Sequence, residues 1–131
     1  MEFSVRTSTE IEFIDITPRL ENILPPEGKG ALLVFIPHTT AGVTVNEGAD
    51  PDVRNDIIRN LKRLAWGEYN HREGNGPAHL QASLLGSSEL IPYNSGKLEL
   101  GTWQKVFLCE FDGPRSRKIK CRLLTGVGED E

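Results

Sequence analysis

Several features that would point quickly to a class of protein are scarce or missing. Two cysteines, Cys109 and Cys121, in 131 residues are too few for a disulfide framework, and no CxxC pair suggests a zinc knuckle. Buried, reduced thiols are the expected reading, with a disulfide or a metal role as the alternative. No apolar run approaches the roughly 20 residues of a membrane helix. The opening MEFSVRTSTEIEF is broken by charges every few residues, unlike a secretory leader. The expected setting is therefore the cytoplasm, without a membrane partner. Positive charge is also short: 15 Lys and Arg against 19 Asp and Glu give a net charge of −4. A nucleic-acid protein would show a basic face. The single basic run, Arg115, Arg117, Lys118, Lys120 and Arg122, is interleaved with apolar residues. It reads as a solvated strand face, with anion contact as the alternative. There is no GxSxG elbow, no dinucleotide-binding glycine fingerprint and no internal repeat.

Histidine is present only three times, and its placement is informative. His38 lies in PHTTAGVTVNEGADP, while His71 and His79 bracket HREGNGPAH. Confinement of every imidazole to two polar, loop-like segments suggests a metal or an acid/base site.

A 131-residue chain with 37% hydrophobic and 26% charged positions suits one domain with an ordinary core. Residues 2 to 7 and 9 to 14 alternate apolar and polar side chains, which predicts two short strands joined as a hairpin. Thr17-Pro18 marks a helix start with Thr17 as cap, and Pro25-Pro26 ends that helix. ALLVFI, residues 31 to 36, is a continuous apolar run that suits a strand covered on both faces or at the centre of a sheet, and Gly42 to Val45 resumes as another. Asp50 is the natural N-cap of a helix from Pro51 to Leu64, with Val53, Ile57, Leu61 and Leu64 as its apolar stripe. A Gly-rich irregular segment, Trp66 to Pro77, leads into a helix begun by Pro77 and closed by Gly86, with Ala78, Ala82 and Leu85 on its apolar side. Trp103 and Tyr69 read as packing residues. Ser88 to Tyr93 is a strand, Asn94-Ser95-Gly96 a turn, and residues 106 to 111 and 119 to 124 a final hairpin that makes Cys109 and Cys121 cross-strand neighbours. The acidic tail from Gly126 is expected to fray. This order predicts an α+β fold, a compact single-domain sandwich with a mainly antiparallel sheet and two to three helices.

Three histidines brought together supply three nitrogen ligands and leave a fourth position open. The other reading is that each caps a helix or bonds a loop. Asp50 is explained as a cap, whereas Glu47, with Asn46, is free to orient a metal-bound water or a histidine. His79 and Ser83 share a helix face, and the helix start favours an anion. Thr39, Thr40 and Ser83 offer hydroxyls to a phosphate.

Three stretches, PHTTAGVTVNEGADPDVRND, HREGNGPAHLQASLLGSS and GKLELGTWQKVFLCEFDGPRSRK, together resemble the YjbQ family, also called the secondary thiamine-phosphate synthase family. The resemblance runs over nearly the whole chain after residue 30. Its polar pattern falls on His38, Thr39, Asn46, Glu47, Asp50, His71, His79, Ser83, Gln104, Glu110 and Arg115. It implies an α+β sandwich, a homotrimer with a site near subunit contacts, and a thiamine-phosphate synthase activity joining a hydroxymethylpyrimidine diphosphate to a thiazole phosphate. On that basis His38, His71 and His79 are expected to bind a divalent metal, Glu47 and Asp50 to orient metal or water, and Thr39, Asn46, Ser83 and Arg115 to meet phosphate. An all-imidazole site suits zinc better than magnesium, although magnesium is the usual companion of diphosphate leaving groups. The competing expectations are a zinc-dependent hydrolase of a phosphorylated or amide substrate with Glu47 as base, and a non-catalytic trimer that carries a metal or ligand.

Overall fold

The computed structural model describes residues 1–125, so the acidic tail lies outside the described residues. Eight strands and three helices follow the chain: β1 Glu2–Arg6, β2 Glu12–Asp15, α1 Thr17–Glu21, β3 Lys29–Phe35, β4 Ala41–Glu47, α2 Pro51–Leu64, α3 Gly76–Leu85, β5 Ser88–Asn94, β6 Lys97–Leu98, β7 Gln104–Glu110 and β8 Ser116–Thr125. Two antiparallel sheets result. A five-stranded sheet runs β1-β8-β3-β5-β6, and a three-stranded sheet runs β2-β7-β4. The α+β class and the antiparallel character are as the patterns predicted.

The pairing is not. β1 and β2 do not form a hairpin, because β1 pairs with β8 and β2 pairs with β7. Thr7, at the switch, is buried and anchors the crossing by donating to Glu110 Oε1 at 2.7 Å and accepting from the Arg115 amide at 2.8 Å. β7 and β8 likewise belong to different sheets. Cys109 therefore faces Phe13 and Gly42 across its ladder, and Cys121 faces Val34. The cysteines are not cross-strand neighbours; both are buried and free. Burial pushes the Cys109 thiol well above its ordinary value and raises that of Cys121. A true two-residue hairpin does link β5 to β6. Ser95 and Gly96 sit there at φ 50° and 80°, the doubly positive backbone such turns require.

Alternation along the strands makes two cores. Leu32, Val34, Ile91 and Ile119 of the large sheet meet Val43, Val106 and Leu108 of the small one, and Leu20 of α1 packs into the same core. The opposite face of the small sheet, carrying Phe13, Phe107 and Cys109, is covered by Leu61 of α2 and by Ala78 and Ala82 of α3. Each fully buried large aliphatic residue contributes about 1.5–3 kcal/mol. The outer face of the large sheet leaves Phe35, Leu90 and Leu124 exposed.

Three local expectations change. Thr17 does not cap α1. Ile16 occupies that position, and the Thr17 hydroxyl accepts from the Val106 amide at 2.8 Å, tying the helix to β7. In α2 the stripe runs from Leu61 to Ala65, four residues on, so Leu64 points to solvent. Trp103 is 63% exposed and is not a packing residue. Gly42 permits the close seat of α3 on β4, since a Cβ there would lie 2.7 Å from the Gly86 carbonyl oxygen.

Candidate functional site

A cavity of about 720 Å³ opens where the two sheets and α3 meet. The end of β3 and the following loop contribute His38, Thr39 and Thr40. The Gly-rich segment and the first turn of α3 contribute His71, Glu73, Asn75 and His79. The β7–β8 connection contributes Asp112 and Arg115, and the start of β8 contributes Arg117. The three histidines, distant in sequence, thus line one space.

Their geometry differs from one ring to the next. His71 and His79 stand edge to face with centroids 5.3 Å apart, and His71 Nε2 lies 3.9 Å from Glu73 Oε2. His38 is committed elsewhere: its Nε2 accepts from the Lys118 backbone amide at 2.8 Å. In a neutral ring that acceptor role places the proton on Nδ1. Burial, and next the charge of Arg117, lower the His38 pKa and favour that neutral ring. As a three-nitrogen zinc centre the set does not fit, because His38 has no lone pair left to offer. Among the described residues no group of three or more His, Cys, Asp and Glu side chains is placed to hold a metal.

Arg117, which lines the cavity, belongs to a buried ion pair that the alternating basic run concealed. Arg117 is 3% exposed and Glu110 is fully buried. Arg117 Nε donates to Glu110 Oε1 at 2.9 Å and Oε2 at 3.1 Å, and Nη2 donates to Glu110 Oε2 as well. Nη2 also meets the Thr40 hydroxyl at 2.8 Å and the Thr40 carbonyl at 3.2 Å. Burial alone would raise the Glu110 pKa, but hydrogen bonds from Arg117, Thr7 and the Asp112 amide, with the Arg117 charge, outweigh it and hold the carboxyl below its ordinary range. The solvated-face reading holds for Lys118, Lys120 and Arg122 and fails for Arg117. Arg117 is in phase with the buried Ile119 and Cys121, and that phase was the available signal. Arg115 lies nearer the rim. Its Nε and Nη2 bond Asp112 O at 2.8 Å and Oδ2 at 2.9 Å. Asn75 donates to the same carboxylate at 2.9 Å and leaves its own Oδ1 sealed without a partner.

The remaining expected residues fall elsewhere. Ser83 donates to the His79 carbonyl at 2.9 Å and lines a shelf beside the cavity with His79 and Tyr69. Glu47, Asn46 and Asp50 do not line the cavity. β4 carries Glu47 away from Thr40 by about 20 Å at the usual strand rise. There Asn46 Oδ1 accepts from the Glu47 amide, Glu47 Oε2 accepts from the Ala49 amide at 2.8 Å, and Asp50 Oδ1 caps α2 by accepting from Asp52 at 2.9 Å. Local turn and cap chemistry accounts for all three.

Comparison with known proteins agrees with this architecture. The family model described as UPF0047 protein YjbQ-like matches residues 1–126. The UPF0047 protein YugU of Bacillus subtilis is 42% identical over 125 residues, covering 92% of this chain and 95% of the relative. A UPF0047 protein of Methanocaldococcus jannaschii is 42% identical over 128 residues, covering 94% and 92%. A crystal structure of a conserved hypothetical protein from Thermus thermophilus superposes with a TM-score of 0.90 at 44% identity, over 95% of this chain and 99% of that one. One from Clostridium acetobutylicum, of the yjbq/upf0047 family, gives 0.88 at 46% identity, over 95% and 99%. From the match along its length and the shared fold, the chain belongs to the YjbQ-like UPF0047 family.

Proposed function

We propose that the cavity is the active site of an enzyme acting on a phosphorylated small molecule, working in the cytoplasm. Its finer form is the condensation implied by the resemblance, of a hydroxymethylpyrimidine diphosphate with a thiazole phosphate. The observation that supports this reading is one cavity of small-molecule size that places three imidazoles beside the guanidinium of Arg115. Imidazoles change charge near neutral pH and move protons to and from reacting groups. Arg115, anchored to Asp112 through Nε and Nη2, retains Nη1 for a phosphate oxygen. A departing diphosphate needs both kinds of help.

Zinc is a subsidiary proposal, restricted to His71 and His79, whose separation suits two imidazoles sharing one ion at Zn–N distances of about 2.0–2.1 Å. Elemental analysis of purified variants tests it: metal is expected to be lost in His71→Ala and His79→Ala and retained in His38→Ala. A homotrimer is proposed for the exposed apolar residues Phe35, Leu90 and Leu124 of the large sheet, and light scattering on the purified protein checks it. The hydrolase with Glu47 as base draws no support from a carboxylate outside the cavity. The deciding experiment supplies purified protein with the two thiamine precursors and, separately, a panel of phosphoesters and amides. Turnover of the precursors is expected. A folded protein that turns over none of these compounds overturns the enzyme reading.

A further inference from the structure

The Glu110–Arg117 pair has a structural duty, since it joins the end of β7 in one sheet to the start of β8 in the other. That duty leaves part of the arginine unused. Nε and Nη2 carry every hydrogen bond described for the side chain. Nη1 donates to nothing among the described residues. Nor is it sealed: among the described residues the buried side-chain polar atoms without a partner are Arg54 Nε and Asn75 Oδ1. Nη1 therefore keeps access to open space, and the space that Arg117 lines is the cavity.

The carboxylate beneath is heavily donated. Besides Arg117 it accepts from the Thr7 hydroxyl at 2.7 Å and the Asp112 amide at 3.0 Å. Spreading its charge over those donors weakens its hold on the far side of the guanidinium. The guanidinium is thus held in place and largely dehydrated before any ligand arrives, and such preorganisation makes a donor effective. His38 lines the same cavity and, with Nε2 engaged by Lys118, has Nδ1–H as its remaining polar group.

Resting on the reading that the cavity takes a phosphorylated molecule, we propose that Arg117, through Nη1–H and together with His38 Nδ1–H, holds a phosphoryl oxyanion in the cavity. Arg115 then guides the anion at the rim, and His38 acts as a hydrogen-bond donor instead of a metal ligand. A guanidinium suits this post better than an ammonium, because its planar fork can bond Glu110 on one edge and the ligand on another.

The test uses the intact protein with labelled arginine guanidinium groups, titrated with inorganic pyrophosphate and followed by NMR. The Arg117 signals, assigned with an Arg117→Lys variant, are expected to shift saturably, and pyrophosphate affinity is expected to fall at least about tenfold in the double variant Glu110→Met/Arg117→Met, in which both members of the pair become apolar. Shifts confined to Arg115 and other exposed arginines, or no shift at all, overturn the proposal, as does parental affinity in the folded double variant. Turnover of phosphorylated substrates with silent Arg117 signals sinks this inference alone. A saturable Arg117 shift without any turnover keeps it and sinks the enzyme reading.

Discussion

The small sheet has a carboxylate at each end of its β4–β7 ladder, and the two have opposite fates. Ala41 pairs with Glu110 at one end and Glu47 with Gln104 at the other. Glu110 is fully buried against Arg117, whereas Glu47 folds back on the amides of its own loop. Both are glutamates at strand ends followed by turn sequence, so residue type does not separate them. What separates them is the next layer: β8 and its arginine cover one end, and solvent covers the other. A carboxylate gains chemical consequence from the charge buried with it.

The sharpest way to break the comparison is Glu110→Ala, which leaves the Arg117 charge buried without its partner. A loss of about 3–5 kcal/mol is expected in urea unfolding. A loss as small as that at an exposed site would mean the pair does not tie the sheets.

Acid titration distinguishes the ends next. The Glu110 pKa is lowered on folding, so its contribution is present above the ordinary glutamate value, about 4.3, and is lost as the pH falls through the folded value. His38 is also lowered. Above about pH 6.5 its ring is neutral folded or unfolded; below that the unfolded chain takes up the proton first and stability falls. Unfolding free energy measured against pH should therefore decline in two stages on acidification. His38→Gln should remove the upper stage and Glu110→Gln should diminish the lower, which Asp112, its carboxyl likewise held below its ordinary range, shares, while Glu47→Gln should leave both.

Asp50→Ala removes the α2 cap and should cost about 1 kcal/mol, with pyrophosphate binding unchanged. Glu47→Gln should change stability by no more than about 0.5 kcal/mol. If either variant abolished turnover in an active preparation, the far end of β4 would have to reach a cavity after all, through a neighbouring copy.

The same contrast shows how far the sequence could be read. The helices α2 and α3 were legible from caps and spacing, and the strands from alternation. Which strand lies beside which was not, because a period of two reports the face a residue presents and not its hydrogen-bonded neighbour. At Asn94-Ser95-Gly96 the turn was legible, but the β5–β6 pairing that its two positive φ values dictate was not drawn from it. At the site, His38, His71, His79 and Arg115 were visible as residue types confined to polar segments. Arg117 was hidden among four surface cations, and only its phase with Ile119 and Cys121 set it apart. The bond that His38 accepts from the amide of Lys118, 80 positions away, was not legible, because such a contact leaves no trace in local spacing.

Gly42 touches none of these side chains, yet it governs one of them. Its bare Cα lets α3 rest on the backbone of β4, so a single methyl group there would lift the whole rod that bears His79. The gap between that ring and His71 is in effect gauged from a strand position with no functional group of its own.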